Sequence, residues 1–518
     1  MSDPVPADHS SDGSLSDTPN VKAHKDVRDL ALPTVAIDAT TQVRPGMWAS
    51  WKRGSDEPWA RYALRMCREG HSVPDAFLTV AGSQIGQIML TTPNALWKAG
   101  LISGGLFSLV AIICSIFTTY LMNVLYLERK RRMLATGTWA KASQHVTQYH
   151  DVLGFFLGKQ MRVVVQIIIC LQLLGTGIAQ VIACAADWYS IDKTHSKREL
   201  QVIWGAVLQV FVLFPSFKHF RILNIAALAG TTMTAIYILH ETRVNGFGDV
   251  NYARLWPADQ PNGAITAPQY FFTGCAVLLN ALGGHSIMIE MMDAMESPKQ
   301  YTTAYTGGWL WTIFLVVPHS IAVNLSFPKL IGGADNVYGL LPMSKGKVAS
   351  VALMIIHQLA AFAYYVLPAI FMWERLIKTH TRPWYIRLPS RLPVSLFIWA
   401  IAMAFPFYGA INSLMASVSV PFTAFALPAL TFALLYRTQD NRQDAVLPPF
   451  SWLRVANWAP ALLLSVFIVV FYLGFGFAAI SYSLKTIVDN SRTYGILARC
   501  YQCPPNYESL LRPGNGGL

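Results

Sequence analysis

Two short clusters in this 518-residue sequence combine residues able to hold an anion or move a proton. Gly283-Gly284-His285 sets an imidazole directly after two glycines, and Gly82-Ser83-Gln84 sets a hydroxyl and an amide after one. Where glycines interrupt a helix, the N–H groups of the next half-helix are free to meet an anionic group, and unwound carbonyls accept protons or bind cations. A histidine at such a break adds a group that titrates near physiological pH, so His285 is a candidate for carboxylate contact or proton coupling. Glu290 and Asp293 follow one turn apart, placed to gate, relay protons or pair with loop cations; loop pairing is the expectation for Asp293. Ser83, Gln84, Gln87, Gln180, Gln358, Asn412 and Ser413 either line one polar cavity or make interhelical hydrogen bonds worth about 0.6 to 2 kcal/mol each. His319 and His357 lack an adjacent break and are expected to be structural.

The elements that carry these residues are apolar helices. Hydrophobic residues make up 53% of the chain, charged residues 13%, and mean hydropathy is +0.38, a balance foreign to soluble domains. Eleven apolar runs are expected to span a membrane, at about 76–94, 100–127, 163–189, 199–214, 220–239, 269–296, 304–327, 347–374, 393–408, 410–436 and 457–482. Helices are required there, because lipid offers no partner to an open backbone group and the alternation of a β-barrel is absent. The net charge of +12 does not mark nucleic-acid binding, since the basic residues sit in short loops between apolar runs. About eighteen of them fall in one set of loops and about eight in the other, which places the N-terminus in the cytoplasm and the C-terminus outside.

The expected organisation is a cytoplasmic tail over 1–70, without apolar periodicity and disordered to about residue 45. A transmembrane domain follows over 71–486, with an extracellular tail over 487–518. No signal peptide is expected at the N-terminus. Within the transmembrane domain one repeat covers about 76–240, a second about 268–436, and an eleventh helix about 457–482. Breaks at comparable places in the first and sixth spans point to inverted repeats, because a repeat of five helices, an odd number, leaves the second copy upside down. Glycines in such helices also serve close packing, but the matched pair favours a binding break. Cys114, Cys170, Cys184 and Cys275 fall inside spans as small packing residues, not a metal set, and Cys500-x-x-Cys503 lies in the tail as a local disulfide or free thiols. Asn324-Leu325-Ser326 spells a glycosylation sequon against a span end, where use is not expected. Aromatic residues, 12% of the chain, are read as interface markers at Trp309, Trp311, Trp373 and Trp384. No metal cluster or His-Glu-x-x-His signature argues for an enzyme.

An ordered set of motifs from about residue 70 to 505 resembles the AUX/LAX auxin influx carriers of the amino acid/auxin permease family. It comprises Gln84 and Gln87 ahead of Thr92-Pro93, Leu157-Gly158-Lys159, Gln180 through Ala185, Pro215-Ser216-Phe217 and Arg221-Ile222. Tyr270 through Gly274, Gly283-Gly284-His285, Glu290, Ile356-His357-Gln358 and Phe405-Pro406-Phe407 continue it. Ile411-Asn412-Ser413, Gly474 through Phe477 and Cys500-Tyr501-Gln502-Cys503-Pro504-Pro505 close it. The resemblance implies an all-α LeuT-like fold of five-plus-five inverted repeats plus one helix, with helices 1 and 6 broken. It also implies a plasma-membrane symporter in the lipid bilayer that takes up indole-3-acetate with protons, using no cofactor beyond the proton gradient; a monomer is adequate for this, and the sequence does not give the oligomeric state. The resemblance implies a central substrate site at the first-span break and His285. Together with the polar residues inside the spans, the candidate substrate site is Gly82, Ser83, Gln84, Gln87, Gln180, Gly283, Gly284, His285, Gln358, Asn412 and Ser413, and His285 and Glu290 are the candidates for proton coupling. The chain departs from the family where plant members carry Ser-Asn-Gln at the first break, at Lys98, where a neutral residue is usual, and at Asp293, where a histidine is usual. A tryptophan or neutral amino acid permease of the same fold, and a non-transporting auxin-binding receptor, are the alternatives.

Overall fold

The computed structural model describes residues 58–59, 72–142, 146–213, 221–247, 253–259, 265–295, 297–448 and 457–496; the N-terminal tail before residue 58, Pro215-Ser216-Phe217 and the Cys500–Cys503 motif lie outside them. All its regular elements are helices: α1 Val73–Ile85, α2 Ile88–Ala99, α3 Leu101–Ala135, α4 Tyr149–Leu157, α5 Lys159–Tyr189, α6 Lys197–Leu208, α7 Arg221–Asn245 and α8 Ala267–Asn280. They continue as α9 Met288–Ala294, α10 Tyr301–Ser326, α11 Lys345–Leu376, α12 Leu392–Ala404, α13 Tyr408–Val420, α14 Leu427–Leu435 and α15 Trp458–Tyr494, besides short turns. Among the described residues, eight helical segments are long and apolar enough to cross a membrane. The other three expected spans are helical as well: α1–α2, α6 with the turn Gln209–Leu213, and α7. Leu463, Val466 and Val470 of α15 turn 71%, 54% and 70% of their surface outward, a stripe that lipid rather than water must cover.

Polar signals set the ends of the helices. Ser72 and Asp75 form a reciprocal capping box that starts α1, with the Ser72 hydroxyl donating to Asp75 Oδ2 at 2.5 Å; Ser196 and Glu199 do the same for α6. Gly100 at φ 84° separates α2 from α3, and Gly158 at φ 92° separates α4 from α5, a region closed to most side chains. The last helix reaches Tyr494, beyond the expected 482, and α3 runs to Ala135, beyond 127. Polar turns such as Glu128–Arg132 and Lys485–Arg492 extend these helices past the apolar stretch that hydropathy detects.

The first span breaks at Gly86-Gln87, not at Gly82-Ser83-Gln84 as the sequence suggested. Gly82 has room for a methyl, whose nearest neighbour would be Asn224 Oδ1 at 3.7 Å, and it stays helical. At Gly86 a methyl would collide with the ring of His357, so this is the position that requires glycine. The sixth span breaks where expected, through residues 281–283 and the 3₁₀ turn Gly284–Ile287. Packing of α1 on α10 and of α2 on α8 brings the two breaks together inside the bundle.

Candidate functional site

The two breaks touch through Gln84 and Gly284: a methyl on Gly284 would stand 2.8 Å from Gln84 Nε2. The chain leaves carbonyls unpaired as it turns at each break, and side chains take them. His357 Nε2 lies 2.6 Å from the Gly82 oxygen, the Tyr365 hydroxyl donates to the Ser83 oxygen at 3.0 Å, and Gln172 Nε2 donates to the Gly283 oxygen at 3.2 Å. Gln172 is itself held by the Thr423 hydroxyl at 3.1 Å, in the π-helical turn Pro421–Ala426.

His285 is fully buried, with Nε2 3.1 Å from the Thr118 hydroxyl and 3.0 Å from that of Thr119, both on α3. Its ring meets Tyr305 edge-on at 5.7 Å and Phe425 at 6.4 Å, and Tyr305 packs on Trp309 at 6.2 Å. Trp309 is therefore part of this interior aromatic wall and not an interface marker; it is 2% exposed. Ser115 bonds the Tyr305 hydroxyl at 3.0 Å. Among the described residues, the Gln84 carbonyl oxygen and His285 Nδ1 are buried without a hydrogen-bond partner. Amides, hydroxyls and one imidazole thus face apolar rings around the two breaks, an arrangement that can bind a carboxylate and an aromatic group together.

Gln87 and Gln358 belong to a second cluster, built around a residue that the sequence reading passed over. Asp187 of α5 is fully buried; its Oδ1 accepts from Asn336 Nδ2 at 2.5 Å and Gln87 Nε2 at 3.3 Å, and its Oδ2 accepts from Gln358 Nε2 at 2.5 Å. Gln358 Nε2 also donates to Gln87 Oε1 at 2.6 Å, and Cys184 Sγ lies 3.5 Å from Gln358 Oε1. The signal for Asp187 was available, as an acid in an otherwise uncharged stretch from Val163 to Tyr189.

The remaining expected residues are dispersed. The Ser83 hydroxyl turns back to the Val80 oxygen at 3.1 Å. Ser413 bonds Ser483 at 2.7 Å and the Thr273 oxygen at 3.3 Å, between α8 and α15, and Asn412 sits beside Tyr408. Gln180 is buried with its carbonyl oxygen unpaired. Glu290 lies in α9 with Oε2 buried and unpaired. Asp293 accepts from the Tyr126 hydroxyl at 2.8 Å and from the Thr147 amide at 3.3 Å, so among the described residues its direct partners are a hydroxyl and a loop amide rather than a loop cation. His319 is pinned between the oxygens of Leu315 and Met89, at 2.7 and 2.9 Å. Asn324 is 2% exposed and donates to the Pro93 and Ser320 oxygens at 2.9 and 2.8 Å, which makes it a strap between helices, closed to glycosylation.

Comparison with known proteins agrees with this architecture. Residues 69–477 match the family described as transmembrane amino acid transporter protein. Auxin transporter-like protein 4 of Medicago truncatula is 35% identical over 439 residues, 84% of this chain and 88% of that protein. Auxin transporter protein 1 of Arabidopsis thaliana is 33% identical over 440 residues, 84% of this chain and 88% of that protein. Among solved structures, MhsT in complex with L-phenylalanine superposes with a TM-score of 0.57 at 12% identity, covering 80% of this chain and 100% of that one, which identifies the fold as LeuT-like. The sequence, the paired helix breaks and these relatives together make the chain a multi-pass membrane transporter of the AUX/LAX family, within the transmembrane amino acid transporters.

Proposed function

We propose that this transporter imports indole-3-acetate across the plasma membrane by proton symport. The observation that carries the reading is the meeting of the two breaks at Gln84 and Gly284, with His285 between threonine hydroxyls and an aromatic wall of Tyr305, Phe425 and Trp309. In this reading the carboxylate meets the amide of Gln84 and the imidazole of His285, and the indole ring packs among the aromatic side chains. Among the described residues, the side chains touching His285 and Gln84 include no carboxylate, which suits a ligand without an α-amino group. The names of the relatives support the same substrate.

The proposed orientation places Arg131, Arg132, Arg162, Arg375 and Arg387 in the cytoplasm, as the positive-inside rule requires. The proton gradient drives uptake, no cofactor takes part, and one protomer suffices. A tryptophan or neutral amino acid permease is the second reading, favoured by the family description.

Uptake of labelled indole-3-acetate at acidic and neutral external pH, in vesicles carrying wild type or His285→Ala, separates them. Carrier-dependent uptake that rises at low pH, resists excess tryptophan and falls at least about tenfold in the variant supports auxin import, tenfold being about 1.4 kcal/mol of binding. Full displacement by tryptophan supports the amino acid permease.

A further inference from the structure

We infer that Asp187 carries the coupled proton, received from the surface cavity beside Asn336, and that its protonation acts directly on the break of the first span. The inference rests on the proton-symport reading. Asp187 is buried by five segments: its own helix α5, the break residue Gln87, α11 through Gln358, the turn Val337–Gly339 next to Asn336, and α13 through Tyr408. Three amide N–H groups meet its oxygens, and among the described residues no basic side chain is found in an ion pair with it. A carboxylate inside a membrane protein without a cation is costly to keep ionised, and such residues mark proton pathways. The titratable groups that face it are Cys184 on its own helix, Tyr338 at the turn and Tyr408 on α13; Asp335, one residue from Asn336, is engaged with Lys98 at 3.3 Å.

Asn336 also lines a cavity of about 670 Å³ together with Tyr338, Tyr408, Lys193, Lys197 and Lys347. Lys193 is exposed, so this cavity supplies water, and a water-borne proton, to the neighbourhood of the carboxylate. The chemical step is a transfer of one proton from hydronium to a carboxylate oxygen, giving a neutral carboxylic acid and water; its reversal toward the other face passes the proton to water and restores the carboxylate and hydronium. The neutral acid is a hydrogen-bond donor where the anion was only an acceptor. The Gln87–Gln358 pair must then rearrange, since an N–H that pointed at the carboxylate would face an O–H, and an amide oxygen must turn to accept it. Gln87 lies on the break between α1 and α2, so loading Asp187 changes a contact of the element that has to move.

The test uses the full-length purified protein in lipid vesicles. On acidification from pH 8 to pH 5, infrared difference spectra of the wild type are expected to gain a carboxylic acid carbonyl band that is missing in Asp187→Asn and returns, shifted, in Asp187→Glu. In parallel, carrier-dependent uptake of labelled indole-3-acetate, corrected with empty vesicles, is expected to rise at least fivefold over that range in the wild type. In Asp187→Asn it should change by less than twofold. An unchanged infrared band in Asp187→Asn, or a variant that keeps the wild-type pH profile, overturns the assignment. If the wild type itself moves no indole-3-acetate, the substrate reading fails, while the infrared spectra still decide whether Asp187 takes the proton. An Asp187→Asn protein that fails to fold leaves the decision to Asp187→Glu, whose band must titrate at an altered frequency.

Discussion

His357 lies across the break of the first span: its Nε2 is 2.6 Å from the carbonyl oxygen of Gly82, and its ring occupies the space that any side chain at Gly86 would need. One residue of α11 therefore caps the end of α1 and forbids a Cβ at the turn.

Gly86→Ala is expected to be destabilising by about 1 to 3 kcal/mol, the usual range for overpacking a filled interior. His357→Ala should relieve the collision. The double variant is then expected to be more stable than the sum of the single effects, read from thermal melting of the purified proteins; strict additivity would show that ring and break do not meet.

Gly284→Ala should behave differently, because the atom it meets is the free end of Gln84, which can swing aside. The fold is expected to survive, while uptake falls about 10- to 100-fold as Gln84 leaves its place, in line with the roughly 1.5 to 3 kcal/mol of a hydrogen bond to a charged group. A melting temperature close to wild type with raised KM is the expected pair of results. Wild-type KM would remove Gln84 from the substrate site.

Thr118 and Thr119 both reach the same nitrogen of His285, at 3.1 and 3.0 Å. Replacing either with valine leaves the other and should lower uptake by no more than about fivefold, or about 1 kcal/mol. The double replacement strands a buried imidazole nitrogen and should cost about 10- to 100-fold, or about 1 to 3 kcal/mol. Equal effects of single and double variants would show that only one hydroxyl acts.

Asp151 on α4 lies 2.5 Å from Arg162, 3.5 Å from Arg375 and 3.6 Å from His150. Burial pushes its carboxyl up, but His150 where acid protonates it, the Arg162 and Arg375 guanidinium groups and the Gln148 amide together outweigh burial and hold it below the usual carboxylate range. Burial in turn pushes His150 down to about 4, leaving that ring neutral at pH 5 to 8. With the folded pKa depressed, the stabilisation is complete above the ordinary carboxylate range and is lost as pH falls through the lower folded value. Asp151→Asn should thus cost about 1 kcal/mol, since both arginines are partly exposed to screening water. The cost should be equal at pH 5.5 and 7.5 in thermal melts. A cost that changes between those values would implicate Asp151 in pH dependence.

Much of the architecture was legible because it follows from the solvent. Lipid demands long apolar helices, and the expected spans and the break before His285 coincide with helices and a turn in the structure. Glycine was a weaker guide to the first break. Gly82 and Gly86 look alike in sequence, and only the neighbouring His357, 271 residues away from Gly86, decides which one must turn.

The sequence by itself determined the membrane helices, their order, the family resemblance and the Gly283-Gly284-His285 break, since each depends on local composition or on residues adjacent in the chain. Tertiary structure alone decided that Gln84 meets Gly284, that Gln87 and Gln358 converge on Asp187 while Ser413 faces Ser483, and that Trp309 lines the interior. Polar groups removed from water must find partners wherever folding places them, and the packing of α1 on α10, α2 on α8 and α5 on α11 sets those partners across distances that local spacing does not encode.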